Sequence, residues 1–203
     1  MREGVQSSYR ALRSAIQAFV AGHDHRDMQR FKAAVAAWGA PWHDVAPHRL
    51  SPARYLSLAL TQTTPQTHPL VTVLEAHADN VRWERTYSAG DGVVSADMLE
   101  GYGFVEVIGA HGPYVSTAVR CGIGIYPPGF VYPAHHHQAE EIYVVLAGGA
   151  CFHLDGAQAR DCGPGDVVHV RSSLPHGYDI GREALVVFYI WQAGDLREVS
   201  TFV

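Results

Sequence analysis

Apolar residues recur at intervals of three and four over roughly the first 80 positions and at intervals of two after that, and this change of period divides the chain. Tyr9, Leu12, Ile16 and Phe19 share one face of a helix predicted over residues 6–20. Met28, Phe31, Val35 and Trp38 repeat the pattern over residues 27–38. Gly39-Ala40-Pro41 ends the second helix. Ser51-Pro52 predicts a third, with serine as its N-cap and proline in its first turn, running to about Gln62. After the break at Thr64-Pro65-Gln66-Thr67, residues 69–79 carry Leu70, Val73, Leu74 and His77 in a fourth helical pattern. From Val81 the grammar changes. Residues 81–87 alternate as a strand does, and short β-like runs punctuated by glycine follow at intervals of about ten residues, as in a sandwich or barrel. The predicted architecture is an N-terminal helical segment, residues 1–80, followed by a β-barrel, residues 81–203. The helices would either cap the barrel mouth or form the face of a homodimer.

Composition narrows the class of partner. A chain of 203 residues, 47% of them hydrophobic, can bury a substantial core. A net charge of -5 and a pI near 6.2 argue against nucleic acid or an anionic membrane as the main partner, leaving a small molecule as the expected one. Cys121, Cys151 and Cys162 lack Cys-x-x-Cys spacing and suit a reducing compartment. With no apolar run of signal-peptide or membrane-span length, the expected location is the cytoplasm. Lys32 is the only lysine and lies in a predicted helix far from the histidines, so Schiff-base chemistry is not expected.

The chemistry concentrates between residues 129 and 177. His135 and His137 lie two apart, so on a strand both imidazoles face one side and His136 faces the other. Glu141 follows four residues later, and His176 and His169 are candidates for a further ligand, with His176 favoured. Imidazole and carboxylate donors together suit one borderline divalent ion, Zn, Fe, Mn, Co or Ni, better than Mg or Ca. Tyr143 shares the parity of Glu141, so a metal-binding Glu141 inside a barrel places the Tyr143 phenol inside as well. A phenol is a weak base at neutral pH, and a cation within a few ångströms favours its ionised form. On the last long apolar run, Leu185, Val187, Tyr189 and Trp191 share one face and Val186, Phe188 and Ile190 the other. Either set could line a cavity. Tyr132 precedes Pro133, which interrupts the parity argument.

The string Gly129…His135-x-His137…Glu141…Gly148, followed by Gly165-Asp166…Pro175-His176, resembles the paired motifs of the cupin superfamily, which implies a double-stranded β-helix barrel. No glycine separates the proline and histidine of the second motif. His135-x-His137 with Glu141-x-Tyr143, Tyr132 just upstream, His176, and Trp191 near the end of the barrel more specifically resemble the cupin-type dimethylsulfoniopropionate (DMSP) lyases. That resemblance implies a metal held by His135, His137, Glu141 and His176, with Tyr143 as the base that takes the α-proton and Tyr132 assisting. Tyr132, Trp191, Tyr178 and Tyr189 would be aromatic walls for a sulfonium, and the products dimethyl sulfide and acrylate. The competing expectations are a metal-dependent cupin dioxygenase, since the same ligands suit Fe(II), and a non-catalytic cupin that only binds a small molecule. The helical segment is not notably basic and contains no evident helix-turn-helix.

Overall fold

A computed structural model describes residues 2–39, 41–87 and 96–203. Helices α1 (Arg2–Gly22), α2 (Gln29–Ala36), α3 (Leu56–Ala59) and α4 (His68–His77) come first, and α5 (Ala96–Gly101) leads into the sheets. Eleven strands follow among the described residues. They are β1 (Gly103–Gly109), β2 (Tyr114–Val115), β3 (Val119–Tyr126), β4 (Val131–His136), β5 (Glu140–Ala147), β6 (Ala150–Leu154), β7 (Arg160–Cys162), β8 (Val167–Val170), β9 (His176–Ile180), β10 (Leu185–Gln192) and β11 (Thr201–Phe202). They form a six-stranded sheet in the order β2-β1-β3-β10-β5-β8 and a five-stranded sheet in the order β11-β4-β9-β6-β7. Every pairing is antiparallel except β1 with β2. This is the mainly β cupin barrel, carrying helices at its N-terminal side, that the sequence resemblance implied.

Strand parity sorts the two faces of the larger sheet. Ile142, Val144 and Leu146 on β5 and Val186, Phe188 and Ile190 on β10 are buried in one cluster with Tyr9, Leu12, Ile16, Met28, Phe31, Leu70 and Leu74 of the helical segment. Glu141, Tyr143 and Val145, with Leu185, Val187, Tyr189 and Trp191, face the opposite side, the barrel interior. The helices therefore cover the outer face of the six-stranded sheet. Six buried apolar side chains from β5 and β10 at about 1.5–3 kcal/mol each outweigh an exposed ion pair such as Arg30 with Glu140, worth about 0–1 kcal/mol. Hydrophobic burial is what fixes the helices there.

Three local expectations change. The third helix is a single α-helical turn, α3, flanked by 3₁₀ segments at Ser51–Tyr55 and Leu60–Gln62. Ser51 does not cap it, because its hydroxyl donates to the Glu100 carbonyl at 2.8 Å instead. Residues 81–87 form no strand: His48 with Arg82 and Glu84 with Phe104 are isolated bridges. Their alternation arises because Val81 and Trp83 are buried against the helical segment and β1 while Arg82 stays exposed. Ala40, in the break after the second helix, lies outside the described residues, as do positions 88–95.

On β3 the interior positions are Arg120, Gly122, Gly124 and Tyr126, and Gly122 is in register with Tyr189. A Cβ at Gly122 would stand 2.0 Å from the Val105 carbonyl oxygen and 2.8 Å from the Tyr189 hydroxyl, so glycine there is what lets β1 and Tyr189 close on β3. Gly122→Ala should destabilise the chain by about 1–3 kcal/mol. Gly4→Ala, in α1 with nothing within 4 Å of the added carbon, should stabilise it by about 0.5–1 kcal/mol. Urea unfolding of both variants checks the opposite signs.

Candidate metal centre

The site lies where the two sheets face each other. His135 on β4 and His176 on β9 are directly paired across the five-stranded sheet, and this brings their ring centroids to 4.2 Å. Glu141 arrives from the other sheet, on β5. His137 follows the end of β4, its ring stacked 4.0 Å from Trp191 of β10. One ligand nitrogen from each of His135, His137 and His176 lies within 4.8 Å of the other two. Glu141 Oε2 lies 2.9 Å from His137 Nε2 and 3.6 Å from His176 Nε2. All four side chains are at most 2% exposed. His169 does not join them: it contacts Glu140 and Arg30 on the outer side of the sheet. His136 is half-buried and outside the cluster.

Hydrogen bonding fixes which nitrogen of each ring is available. The Nδ1 atoms of His135, His137 and His176 lie 2.9, 2.9 and 2.8 Å from the carbonyl oxygens of Pro133, Ala139 and Leu174. A carbonyl can only accept, so each Nδ1 carries a proton and each Nε2 is left to face the cluster. His135 is held neutral, as burial and the proximity of His176 push its pKa down to about 3. Burial works to raise the Glu141 carboxyl, but the contacts with His137 and His176 outweigh it and hold the group at about 2, so it is ionised. Between Glu141 Oε2 and the His137 Nε2 lone pair, 2.9 Å apart, a cation must intervene, either a proton or a metal. His176 Nε2 is buried without a hydrogen-bond partner among the described residues, and 3.6 Å from Glu141 is too long for one. The three imidazoles, with the Glu141 carboxylate beside two of them, fit a borderline divalent ion.

The remaining predicted residues surround a narrow cavity of about 50 Å³ beside this cluster. Tyr143, Tyr132, Tyr189 and Trp191 line it together with His135 and Glu141. Tyr132 reaches the interior because the β4–β9 register shifts between Tyr132 and His135, at Pro133. Its ring centroid is 4.7 Å from that of His135, and its hydroxyl donates to Tyr87 at 3.3 Å. Tyr178 stands behind the wall, stacked at 5.2 Å on Tyr132 and wedged against Phe152 and Tyr143. Burial, followed by the charge of Glu141, raises the Tyr143 phenol well above its ordinary value, so the protein groups alone keep it protonated.

Tyr102, Phe104, Tyr126 and Arg120 also line the cavity and were not singled out from sequence. The signal for two of them was the alternation on β3, where Val119, Cys121, Ile123 and Ile125 pack toward the helices and leave Arg120 and Tyr126 inside. Tyr102 sits just before β1, in a stretch with no periodic pattern to place it. No helix among the described residues is long and apolar enough to cross a membrane.

Comparisons with known proteins show the family. A family profile described as dimethylsulfoniopropionate lyase matches residues 23–187. The dimethylsulfoniopropionate lyase DddQ of Ruegeria pomeroyi is 32% identical over 153 residues, 75% of this chain and 75% of its own. The crystal structure of DMSP lyase DddQ from the same organism superposes with a TM-score of 0.80 at 26% identity, over 96% of each chain. A chain from the crystal structures of DMSP lyases RdDddP and RnDddQII superposes with a TM-score of 0.85 at 24% identity, over 98% of this chain and 99% of that one, a likeness of fold. The match over most of the chain, on a cupin barrel, makes this protein a lyase belonging to the dimethylsulfoniopropionate lyase family.

Proposed function

We propose that the chain is a metal-dependent carbon–sulfur lyase that cleaves dimethylsulfoniopropionate to dimethyl sulfide and acrylate. The observation that carries this reading is the placement of Tyr143. Its side chain shares one small aromatic cavity with Glu141 and His135, and Tyr143 and Glu141 stand on the same face of β5. A divalent cation held by His135, His137, His176 and Glu141 would favour the phenolate.

In this reading Tyr143 Oη takes the proton from the α-carbon. The electron pair left behind forms the new C=C bond as the C–S bond breaks, dimethyl sulfide departs with the C–S electron pair, and acrylate remains. Burial suits Tyr143 to the task in a specific way: it remains a neutral phenol until a cation is present, so proton abstraction is tied to the assembled centre. Tyr132, stacked on Tyr178 and hydrogen-bonded to Tyr87, is held rigidly enough to orient the substrate. A sulfonium facing Tyr102, Tyr126 and Tyr132 would gain cation–π stabilisation of about 0.5–2 kcal/mol.

Headspace detection of dimethyl sulfide from DMSP with zinc- or iron-reconstituted protein tests the reaction. Tyr143→Phe should retain the metal and lose activity by a factor of about 10² to 10⁴. His135→Ala, His137→Ala, Glu141→Ala and His176→Ala should each lose metal and dimethyl sulfide release together, measured by elemental analysis alongside the gas assay. An active Tyr143→Phe protein would remove the proposed base.

A further inference from the structure

The lyase chemistry above makes no use of a half-buried arginine that faces the same cavity. Arg120 on β3 is in register with Trp191 on β10, and Trp191 with Glu141 on β5, so cation, indole and carboxylate form one row across three hydrogen-bonded strands. The guanidinium carbon lies 4.8 Å from the centre of the Trp191 ring. The side chain is held from behind. Nε donates to Glu106 Oε2 at 2.8 Å, while Glu106 Oε1 accepts the backbone N–H groups of His111 and Gly112 at 2.9 and 2.8 Å. Nη1 reaches only the carbonyls of Leu196 and Glu198, both at 3.5 Å, the outer limit of a hydrogen bond. Nη2 has no hydrogen-bond partner among the described residues.

Two further donors on the cavity wall are buried orphans. The Tyr189 hydroxyl and Trp191 Nε1 are buried with no hydrogen-bond partner among the described residues, in side chains 9% and 7% exposed. Arginine and tryptophan can only donate. The Glu198 carboxylate, which also borders the cavity, accepts the Gln138 N–H at 2.7 Å. Donors buried without acceptors leave their desolvation uncompensated. A planar guanidinium with a free edge matches a carboxylate in geometry and charge. Outside the cavity lies a larger basin of about 420 Å³ that shares Thr86, Phe104, Arg120 and Glu198 with it. Arg82, Arg85 and Arg197 on its walls are each paired with a carboxylate, of Glu84, Glu100 and Asp195. Arg120 thus stands where the two spaces meet.

We propose that Arg120 is a binding residue for the carboxylate of a small aliphatic acid, with Tyr189 and Trp191 as co-donors, and that it selects acids over neutral analogues. The identity of that acid rests on the lyase reading, in which substrate and product each carry one carboxylate. Tyr189 is in register with Tyr143, so an acid anchored at Arg120 extends its carbon chain along the wall toward the proposed base.

Arg120→Gln alone would strand the buried Glu106 charge, so the informative variant is Glu106→Gln/Arg120→Gln, which removes both charges together. Zinc-reconstituted wild type and double variant are titrated calorimetrically with acrylate and with neutral acrylamide, with circular dichroism reporting the fold. The acrylate Kd should rise at least about tenfold in the double variant, with acrylamide binding unchanged. KM for DMSP should rise by a similar factor, with kcat changing less. An acrylate Kd within about twofold of wild type in a folded double variant overturns the proposal. If the double variant does not fold, Arg120→Lys, which keeps the charge and loses the planar fork, decides in the same way: a weakened acrylate Kd supports the proposal and an unchanged one overturns it. Acrylate binding that depends on Arg120 in a protein that releases no dimethyl sulfide would sink the lyase reaction and leave this site standing.

Discussion

An ionised carboxylate buried against imidazole lone pairs is the constraint on which the rest of this structure depends. Glu141 is 1% exposed and shares its surroundings with three histidines whose Nδ1 protons are committed to backbone carbonyls. A charge taken out of water costs several kcal/mol unless it is paired. The geometry leaves one solution, a cation between the carboxylate and the imidazole nitrogens clustered beside it. That solution requires both sheets, because His135 and His176 pair across β4 and β9 while Glu141 comes from β5 opposite them. The centre exists only where the barrel closes.

The larger sheet serves two masters through its pleat. One parity binds the helices through aliphatic side chains, and the other presents Glu141, Tyr143, Tyr189, Trp191 and Arg120 to the interior. The helices then do mechanical work at a distance from the chemistry: they fix the backs of β3, β5 and β10, the strands whose fronts carry the cavity. Gly122 completes the arrangement by leaving room for Tyr189 between Tyr143 and β3.

Much of the site was legible in the sequence because its information is local. His135, His137, Glu141 and Tyr143 lie within nine positions, and period-two spacing alone puts them on shared faces. Their convergence with His176 followed from motif resemblance, since nothing local shows that β9 pairs with β4. The parity of β10 separated Tyr189 and Trp191 from Phe188 and Ile190, but which set faced inward depended on where the helices docked, a tertiary fact. Tyr132 escaped parity because the register shift at Pro133 restores it to the interior three residues before His135. Tyr178 lies one layer behind the cavity wall, a distinction of depth that periodicity cannot carry. Arg120 and Glu106 carry no motif or spacing that marks them, and their ion pair forms only once β1 and β3 pair. The apparent strand at residues 81–87 shows the converse error, in which burial against helices imitates a sheet's alternation.

X-ray absorption spectroscopy of the chain loaded with one equivalent of zinc tests the central claim most directly, because imidazole rings give a distinctive outer-shell signal and thiolates a longer first-shell distance. The account predicts a nitrogen and oxygen shell with three imidazoles, dropping to two in His176→Ala where metal is retained at high zinc. A first shell containing sulfur, or fewer than three imidazoles in the unsubstituted protein, would contradict it.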